Sequence, residues 1–373
     1  MHKVLLLGAG KIGSAAARFL AQSGDYDVLI GDLDESALAR LQRIRNLSTR
    51  RLDSANPADL GSVIQGRQAV VSALSYSLNP VVAKAALDHG LSYFDLTEDV
   101  ATTRAVKEVS AHARPNQIFM PQCGLAPGFV AIAAHHLTRE FDSIEEVRLR
   151  VGALPLFPTN EMKYNLTWST DGLINEYGNP CEAVHEGKLI EVLPLEGLEH
   201  FSLDGVDYEA FNTSGGVGTL AETLAGKVRT LNYKTIRYQG HRDLIAFLMN
   251  ELQLNRRRDL LKNVLEAAVP ITLQDLVLIF VTATGQKGGH LTQVTDARKI
   301  YHGEFFGERC SAIQITTASS LCAVLDLHFT GKLPRQGFVK QEQVNLPDFL
   351  ANRFGKCYDV SMKDLSLENG VPA

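Results

Sequence analysis

Residues 4–20 read VLLLGAGKIGSAAARFL, and the fold turns on how they are read. Val4 to Leu7 form a short β-favouring run. Gly8, Gly10 and Gly13 follow as G-x-G-x-x-G, and Ile12, Ala16, Phe19 and Leu20 then recur at helical spacing. Glycines are common, so the pattern alone decides little and the flanking sequence carries the argument. Through residue 122, strand signals (KVLLL, YDVLIGD, STRRLD, AVVSAL, YFDL, IFMP) alternate with helical stretches. In DESALARLQRI, Asp34 is placed to cap the helix, and Leu38, Leu41 and Ile44 mark a buried stripe. Several strands are apolar throughout, as in a sheet covered on both faces. The expectation is an α/β fold: a Rossmann-type, doubly wound parallel sheet of six strands.

In that context the glycines follow a strand and open a helix, which is the arrangement of a dinucleotide-binding turn. Gly8 permits the turn, Gly10 lets backbone approach a pyrophosphate, and Gly13 packs helix against strand, with Lys11 and Ile12 lying between. Asp32 ends the second strand, where its carboxylate accepts hydrogen bonds from ribose hydroxyls. The next residue is Leu33, not an arginine, so a 2′-phosphate meets repulsion without compensation. The expected cofactor is NAD, with NADP second.

After MPQCGLAPGF the rhythm changes. Alternation in SIEEVRLRVGAL and KYNLTWS predicts strands with two unlike faces. GLEHFSLDGVDYEAFN reads as a hairpin around Asp204-Gly205, and a longer hairpin turns at GQKGG. Helices are expected near 219–226, 240–253 and 256–268. This predicts a second, α+β domain with a largely antiparallel sheet. The boundaries expected are 1–123 for the dinucleotide domain, completed by a returning segment 310–373, and 124–309 for a substrate-binding and dimerisation domain.

The chain has 373 residues, with 37 basic and 42 acidic side chains for a net charge of −5, which leaves no electrostatic footprint for nucleic acid or an anionic membrane. Cys123, Cys181, Cys310, Cys322 and Cys357 are odd in number and widely spaced, which suits reduced thiols in a cytoplasm. The histidines include no HExxH, so no catalytic metal is expected. No apolar run is read as membrane-spanning, and the N-terminus lacks a signal-peptide pattern.

GAGKIG, VSALSY, YFDLTED, CGLAPGF, TWSTDGLINEY and KTIRYQGH occur in an order that resembles the saccharopine dehydrogenase-like family over nearly the whole chain. GLINEY and RYQGH are most similar to the lysine 6-dehydrogenase and saccharopine dehydrogenase types. The resemblance implies a Rossmann domain plus an α/β domain carrying substrate contacts and a dimer surface. It also implies hydride transfer between a nicotinamide and a carbon bearing nitrogen, here on a lysine-derived amino acid, with a homodimer as the expected assembly. A polyamine-forming reductase and a redox-inactive NAD-binding protein are the rival readings.

Residues 72–76, with Ala73 and Tyr76, lie beyond the fourth strand at the topological switch point. Tyr76 is read there either as a cofactor or substrate contact or as a loop tyrosine. Asp95 either holds or deprotonates a substrate amine, or caps the following helix. Asp53 either approaches the adenine or serves a turn. Cys123, Gly124, Pro127 and Gly128 form a fixed turn read either as a nicotinamide loop or as an ordinary domain junction, in which the thiol is no nucleophile because the reaction needs no covalent intermediate. Arg237 is read either as the grip on a substrate carboxylate or as half of a structural ion pair, and His241, four residues on, either assists that grip or relays protons, or is a capping or core histidine. Trp168 either walls an aliphatic chain or fills a core. Lys163 and Arg298 are possible second cations, and Glu176 beside Asp171 is a possible partner for an amine.

Overall fold

The computed structural model describes residues 1–359. The first part of the chain alternates without a break: β1 (His2–Leu7), α1 (Lys11–Gln22), β2 (Tyr26–Asp32), α2 (Glu35–Ala39), β3 (Leu47–Arg51), α3 (Pro57–Ile64), β4 (Ala69–Ser72), α4 (Asn79–His89), β5 (Ser92–Asp95), α5 (Val100–Ser110) and β6 (Ile118–Met120). The middle contains α6 (Phe129–Thr138), β7 (Ser143–Pro155), α7 (Thr170–Gly178), β8 (Cys181–His185), β9 (Lys188–Val192), β10 (Glu199–Leu203), β11 (Val206–Asn212), α8 (Leu220–Leu224) and β12 (Val228–Tyr238). It continues through α9 (His241–Ala246), α10 (Arg258–Ala268), β13 (Asp275–Lys287), β14 (His290–Tyr301) and a small pair, β15 (Gly303–Phe305) with β16 (Glu308–Cys310). The chain ends through α11 (Ala312–Phe329), β17 (Gly337–Phe338) and α12 (Leu346–Ala351).

Packing divides these residues into two compact units. Met1–Phe129, Glu304–Glu308 and Gln314–Lys356 form unit 1; Val130–Gly303, Arg309–Ile313 and 357–359 belong to unit 2. Residues 360–373 of the expected returning segment lie outside the described residues.

Unit 1 is a parallel sheet in the order β17-β6-β5-β4-β1-β2-β3, the doubly wound arrangement with β1 and β4 adjacent at its centre. Leu5 and Leu7 of β1, Val70 of β4 and Tyr93 of β5 are buried in one core cluster with Val82, Ala83 and Ala86 of α4. On α1, Ala15, Ala16, Ala17, Phe19 and Leu20 supply the buried face, and the small alanines let the helix sit close to the sheet. The sheet has seven strands where six were expected. The extra one, β17, has two residues and offers no periodicity to read. The α2 helix stops at Ala39, and Ile44 beyond it is only half-buried, so the expected stripe ends at Leu41.

Unit 2 is built on a mixed sheet, β10-β11-β12-β7-β13-β14, with β8 joined to β12 and β9 to β8. Every pairing is antiparallel except β7 with β12. The β10–β11 hairpin turns at Asp204-Gly205 (φ 51° and 75°), and β13–β14 turns at Gly288-Gly289 (φ 57° and 80°). Positive φ at both central residues gives the turn a twist that matches the strands. The KYNLTWS segment is not a strand, and Lys163 within it has φ 48°. Its apolar residues Tyr164 and Leu166 nevertheless enter a core with Leu173, Ile174, Phe211, Ile245 and Leu265.

The α11 helix is long and apolar enough by composition to cross a membrane, contrary to the expectation that no segment is, but 78% of it is buried inside the protein. That is the mark of a core helix.

Candidate active site

The turn after β1 has the three glycine roles in physical form. A Cβ on Gly13 would stand 2.0 Å from the Gly8 carbonyl oxygen, so only glycine lets α1 pack this close. A Cβ on Gly8, at φ 100°, would come within 2.6 Å of the Ala73 carbonyl oxygen on the neighbouring strand exit. A Cβ on Gly10 would meet nothing within 4 Å: that face of the turn is open. Gly10 is also the N-cap of α1, with no side-chain cap and no acidic residue in the first turn, so the turn faces the positive end of the helix dipole. Lys11 is exposed and Ile12 half-buried beside it. A pyrophosphate fits this cradle.

Asp32 ends β2 as expected. One carboxylate oxygen accepts from the Ala9 amide at 2.5 Å and the other from the Asp34 amide at 2.8 Å. The carboxylate is thereby fixed against the glycine turn, with lone pairs left for further donors. Leu33 is exposed, but strand register sets Arg51 of β3 beside Asp32, with its Nε 3.3 Å from Glu35. Sequence adjacency had suggested no cation here; the neighbouring strand supplies one. Asp53 accepts from the Ala55 amide at 2.9 Å, in the turn that leads into α3.

A second cluster lies at the ends of β4, β5 and β6. Tyr76 is half-buried in a short 3-10 turn, and its carbonyl oxygen accepts from the Thr102 hydroxyl at 3.5 Å. Ser72 donates to Asn79 at 2.7 Å. Asp95 is fully buried. Its Oδ1 accepts from the Thr97 amide at 2.9 Å and the Gln122 amide at 3.0 Å, and its Oδ2 from the Tyr93 hydroxyl at 2.7 Å. Loss of water pushes its pKa up to about 6, and these three donors hold it from rising further. Asp95 is therefore bonded to the turn rather than capping α5; Asp99 does that, accepting from the Thr102 amide. Cys123 is fully buried beside it, its thiol pushed well up by burial and by the neighbouring carboxylate. The following turn is closed by the Phe129 amide on the Gly124 carbonyl at 2.9 Å. Pro127 lies within it, and at Gly128 (φ 136°) a Cβ would sit 1.9 Å from that same oxygen.

In unit 2, Arg237 (β12), Tyr177 (α7) and His241 (α9) form one hydrogen-bonded chain. His241 Nδ1 is 2.8 Å from the Met162 carbonyl oxygen, which can only accept, so the proton is on Nδ1. In the neutral ring, Nε2 then accepts from the Tyr177 hydroxyl at 3.0 Å, and the Tyr177 oxygen accepts from Arg237 Nε at 2.9 Å. Arg237 also donates to the Ile236 carbonyl and lies over the Tyr164 ring, 5.1 Å from its centroid. Burial and the Arg237 charge lower the His241 pKa to about 3.

These bonds bear on the roles expected of His241 and Arg237. Both nitrogens of His241 are engaged, and the ring is neutral at ordinary pH, so this arrangement leaves it no proton-relay position facing a substrate. Arg237 is 3% exposed and bonded within its own unit rather than presented as an open cation. Arg298 grips Asp296 with two hydrogen bonds, at 2.6 and 2.7 Å. Lys163 is exposed and donates to the Gln239 carbonyl at 3.0 Å, while half-buried Trp168 donates to the Tyr164 hydroxyl at 3.2 Å. Glu176 is buried on α7, and its charge acts on Tyr164, Tyr177 and Arg237. Asp171 is instead paired with Lys262 at 2.6 Å. The sequence reading missed Tyr93, Gln122 and Tyr177. Tyr177 lay within the quoted GLINEY stretch, but nothing local marked it as the link between Arg237 and His241.

Comparison with known proteins bears on both units. Residues 4–119 match the family model described as the saccharopine dehydrogenase NADP binding domain, and residues 124–356 the one described as the saccharopine dehydrogenase C-terminal domain. The mitochondrial alpha-aminoadipic semialdehyde synthase of Rattus norvegicus is 24% identical over 260 residues, which is 64% of this chain and 27% of that protein. The saccharopine dehydrogenase [NADP(+), L-glutamate-forming] of Schizosaccharomyces pombe is 22% identical over 267 residues, covering 67% of this chain and 58% of the relative. The chain thus spans about a quarter of the first relative and under two thirds of the second. Among solved structures, the apo saccharopine dehydrogenase (L-Glu forming) of Saccharomyces cerevisiae superposes with a TM-score of 0.76 at 17% identity, covering 98% of this chain and 97% of that one. The homospermidine synthase of Legionella pneumophila, in complex with NAD, gives 0.65 at 13% identity, covering 96% and 89%. At these identities the superpositions show the fold.

Proposed function

Because the chain belongs to the saccharopine dehydrogenase family, we propose that it is a nicotinamide-dependent oxidoreductase acting on the CH–NH bond of a lysine-derived amino acid. The observation that carries this reading is the pair of matches. One chain holds both the cofactor-binding part and the C-terminal part of the family, and the first has an open Gly10 face at a helix start with no side-chain cap. The cofactor supplies the hydride acceptor. Gly8, Gly10 and the first amides of α1 would hold its pyrophosphate, and Asp32 its adenosine ribose. Asp95 is our choice of proton acceptor. A carboxyl group with a pKa near 6 is largely ionised at neutral pH and a stronger base than an ordinary aspartate, which favours it as acceptor of the proton that the substrate nitrogen sheds. The amine loses that proton, hydride leaves the carbon, and the resulting imine is hydrolysed to an aldehyde and a free amine or ammonia.

For the cofactor we propose NAD ahead of NADP, because the fixed Asp32 carboxylate repels a 2′-phosphate. The name of the matched domain and the position of Arg51 both point the other way. Saccharopine is the first substrate to test. Free lysine is the second, favoured by the engagement of Arg237 and Arg298 within unit 2, because lysine brings one carboxylate where saccharopine brings three. The test is incubation with either cofactor and each compound, with glutamate and ammonia measured separately. Glutamate from saccharopine supports the first choice and ammonia from lysine the second; no cofactor reduction with either refutes the proposed activity on lysine-derived substrates. We also propose a homodimer, which a monomer mass by light scattering would contradict.

A further inference from the structure

We propose that Gln341 is a positioning residue whose side-chain amide clamps the 121–123 turn, keeping the turn's backbone amides on Asp95. The proposal rests on reading Asp95 as the proton acceptor, but the geometry does not. Strands β6 and β17 run parallel, pairing Gly337 with Ile118 and Phe338 with Phe119, and the Val339 amide adds a bond to the Phe119 carbonyl at 2.9 Å. The two strands therefore leave the sheet at the same end. The first exits into residues 121–123, and the second delivers Gln341 against them.

Gln341 is 1% exposed. Its Nε2 donates to the Pro121 carbonyl at 2.8 Å and to Cys123 Sγ at 3.4 Å. A carbonyl oxygen only accepts, so the amide has one possible orientation. Cys123 sends its own proton to the Met120 carbonyl at 3.0 Å, which leaves the sulfur free to accept from Gln341. Between these two anchor points, Gln122 is held at φ 65°, a left-handed conformation that is unfavourable for a non-glycine residue and needs outside support. From this turn the Gln122 amide reaches Asp95 Oδ1 and the Cys123 amide reaches the Asp95 carbonyl at 2.8 Å. Oε1 of Gln341 has no hydrogen-bond partner among the described residues, so replacing the amide removes the clamp without stripping an acceptor bond.

The consequence falls on the proton affinity of Asp95. The titratable side chains acting on it are Tyr93 from β5 and Cys123 from the turn, and burial keeps both neutral through the relevant range. A donor lost from an ionised carboxylate raises its pKa. Loosening the turn weakens the Gln122 bond and moves Asp95 upward.

The experiment is a pH titration of the full chain by carboxyl NMR with isotope-labelled aspartate, using Asp95→Asn to assign the signal. Gln341→Met and the gentler Gln341→Asn are compared with the unmodified protein. Asp326→Asn serves as a control that loosens a separate cluster, in which Asp326 accepts from Tyr26 and Asn352 at 2.6 and 2.7 Å. The expected result is a rise of about half a unit to one unit in the Asp95 midpoint in the Gln341 variants, with none in the control. If Gln341→Met does not fold, Gln341→Asn decides. An unmoved midpoint in a folded Gln341 variant, or an equal shift in the control, overturns the proposal. If instead the midpoint moves but turnover does not follow it, the clamp stands and the reading of Asp95 as proton acceptor fails.

Discussion

Asp95 in unit 1 and His241 in unit 2 are both fully buried titratable groups, yet burial leaves them in opposite conditions. Asp95 takes two of its three bonds from backbone amides of adjoining segments and sits near a pKa of 6, within reach of a proton-transfer step at ordinary pH. His241 is closed between a main-chain carbonyl and a tyrosine that is itself tied to an arginine, and its pKa falls to about 3. Donors aimed at a carboxylate from the backbone of neighbouring segments leave its charge tunable. A chain of side chains with every proton assigned fixes one state and spends its polarity on architecture.

The largest effect expected from this contrast is on turnover at Asp95. Asp95→Asn keeps the shape and most acceptor bonds but removes the base, and should lower kcat by about a hundredfold to ten-thousandfold in steady-state assays. Arg237→Ala should behave differently. It strips the donor from Tyr177 and empties a buried stem, costing about 2–4 kcal/mol of stability, or roughly 5–15 °C in Tm by calorimetry. A folded Arg237→Ala of unchanged Tm but strongly raised KM would break the comparison and return the residue to carboxylate binding.

His241 gives a smaller effect with a definite sign. Its folded pKa is depressed, so between about pH 6.5 and 3 the unfolded chain binds a proton that the folded one refuses. Stability from this residue is intact above pH 6.5 and is lost on acidification at up to about 1.4 kcal/mol per pH unit. Asp95 and Asp275, both raised to about 6, act in the opposite direction between about pH 4 and 6. His241→Asn should therefore lose less stability on acidification than the unmodified protein, measured by urea unfolding at several pH values. Equal slopes would show that the ring is protonated in place. The smallest effect is cofactor choice: Asp32→Ala should narrow a preference for NAD by about tenfold, and Arg51→Gln should weaken whatever NADP activity exists.

Much of unit 1 was legible because a covered parallel sheet writes itself as short apolar runs separated by helical periods, and because Gly8, Gly10 and Gly13 sit where the chain needs them. Both long hairpins were legible at Asp204-Gly205 and Gly288-Gly289, where the turn demands those residue types. The β8–β9 hairpin was not: its turn at Glu186-Gly187 places a glutamate at φ 47°, which no turn preference announces. KYNLTWS alternates like a strand but carries no ladder, since alternation records burial and not pairing. Asp95 was a candidate because of its place at a strand end. Its partner Gln122 and the clamp Gln341 were not, because Gln341 lies 218 residues from Cys123 and only the folded sheet edge brings them together.

The central claim is that the chemistry rests on the Asp95 carboxylate, and the pH–rate profile with the best substrate tests it most directly. The account predicts a kcat/KM that rises with pH through an acid limb near pH 6 in the unmodified protein, and a residual Asp95→Asn activity without that limb. An Asp95→Asn enzyme with near-normal turnover and the same acid limb would contradict it.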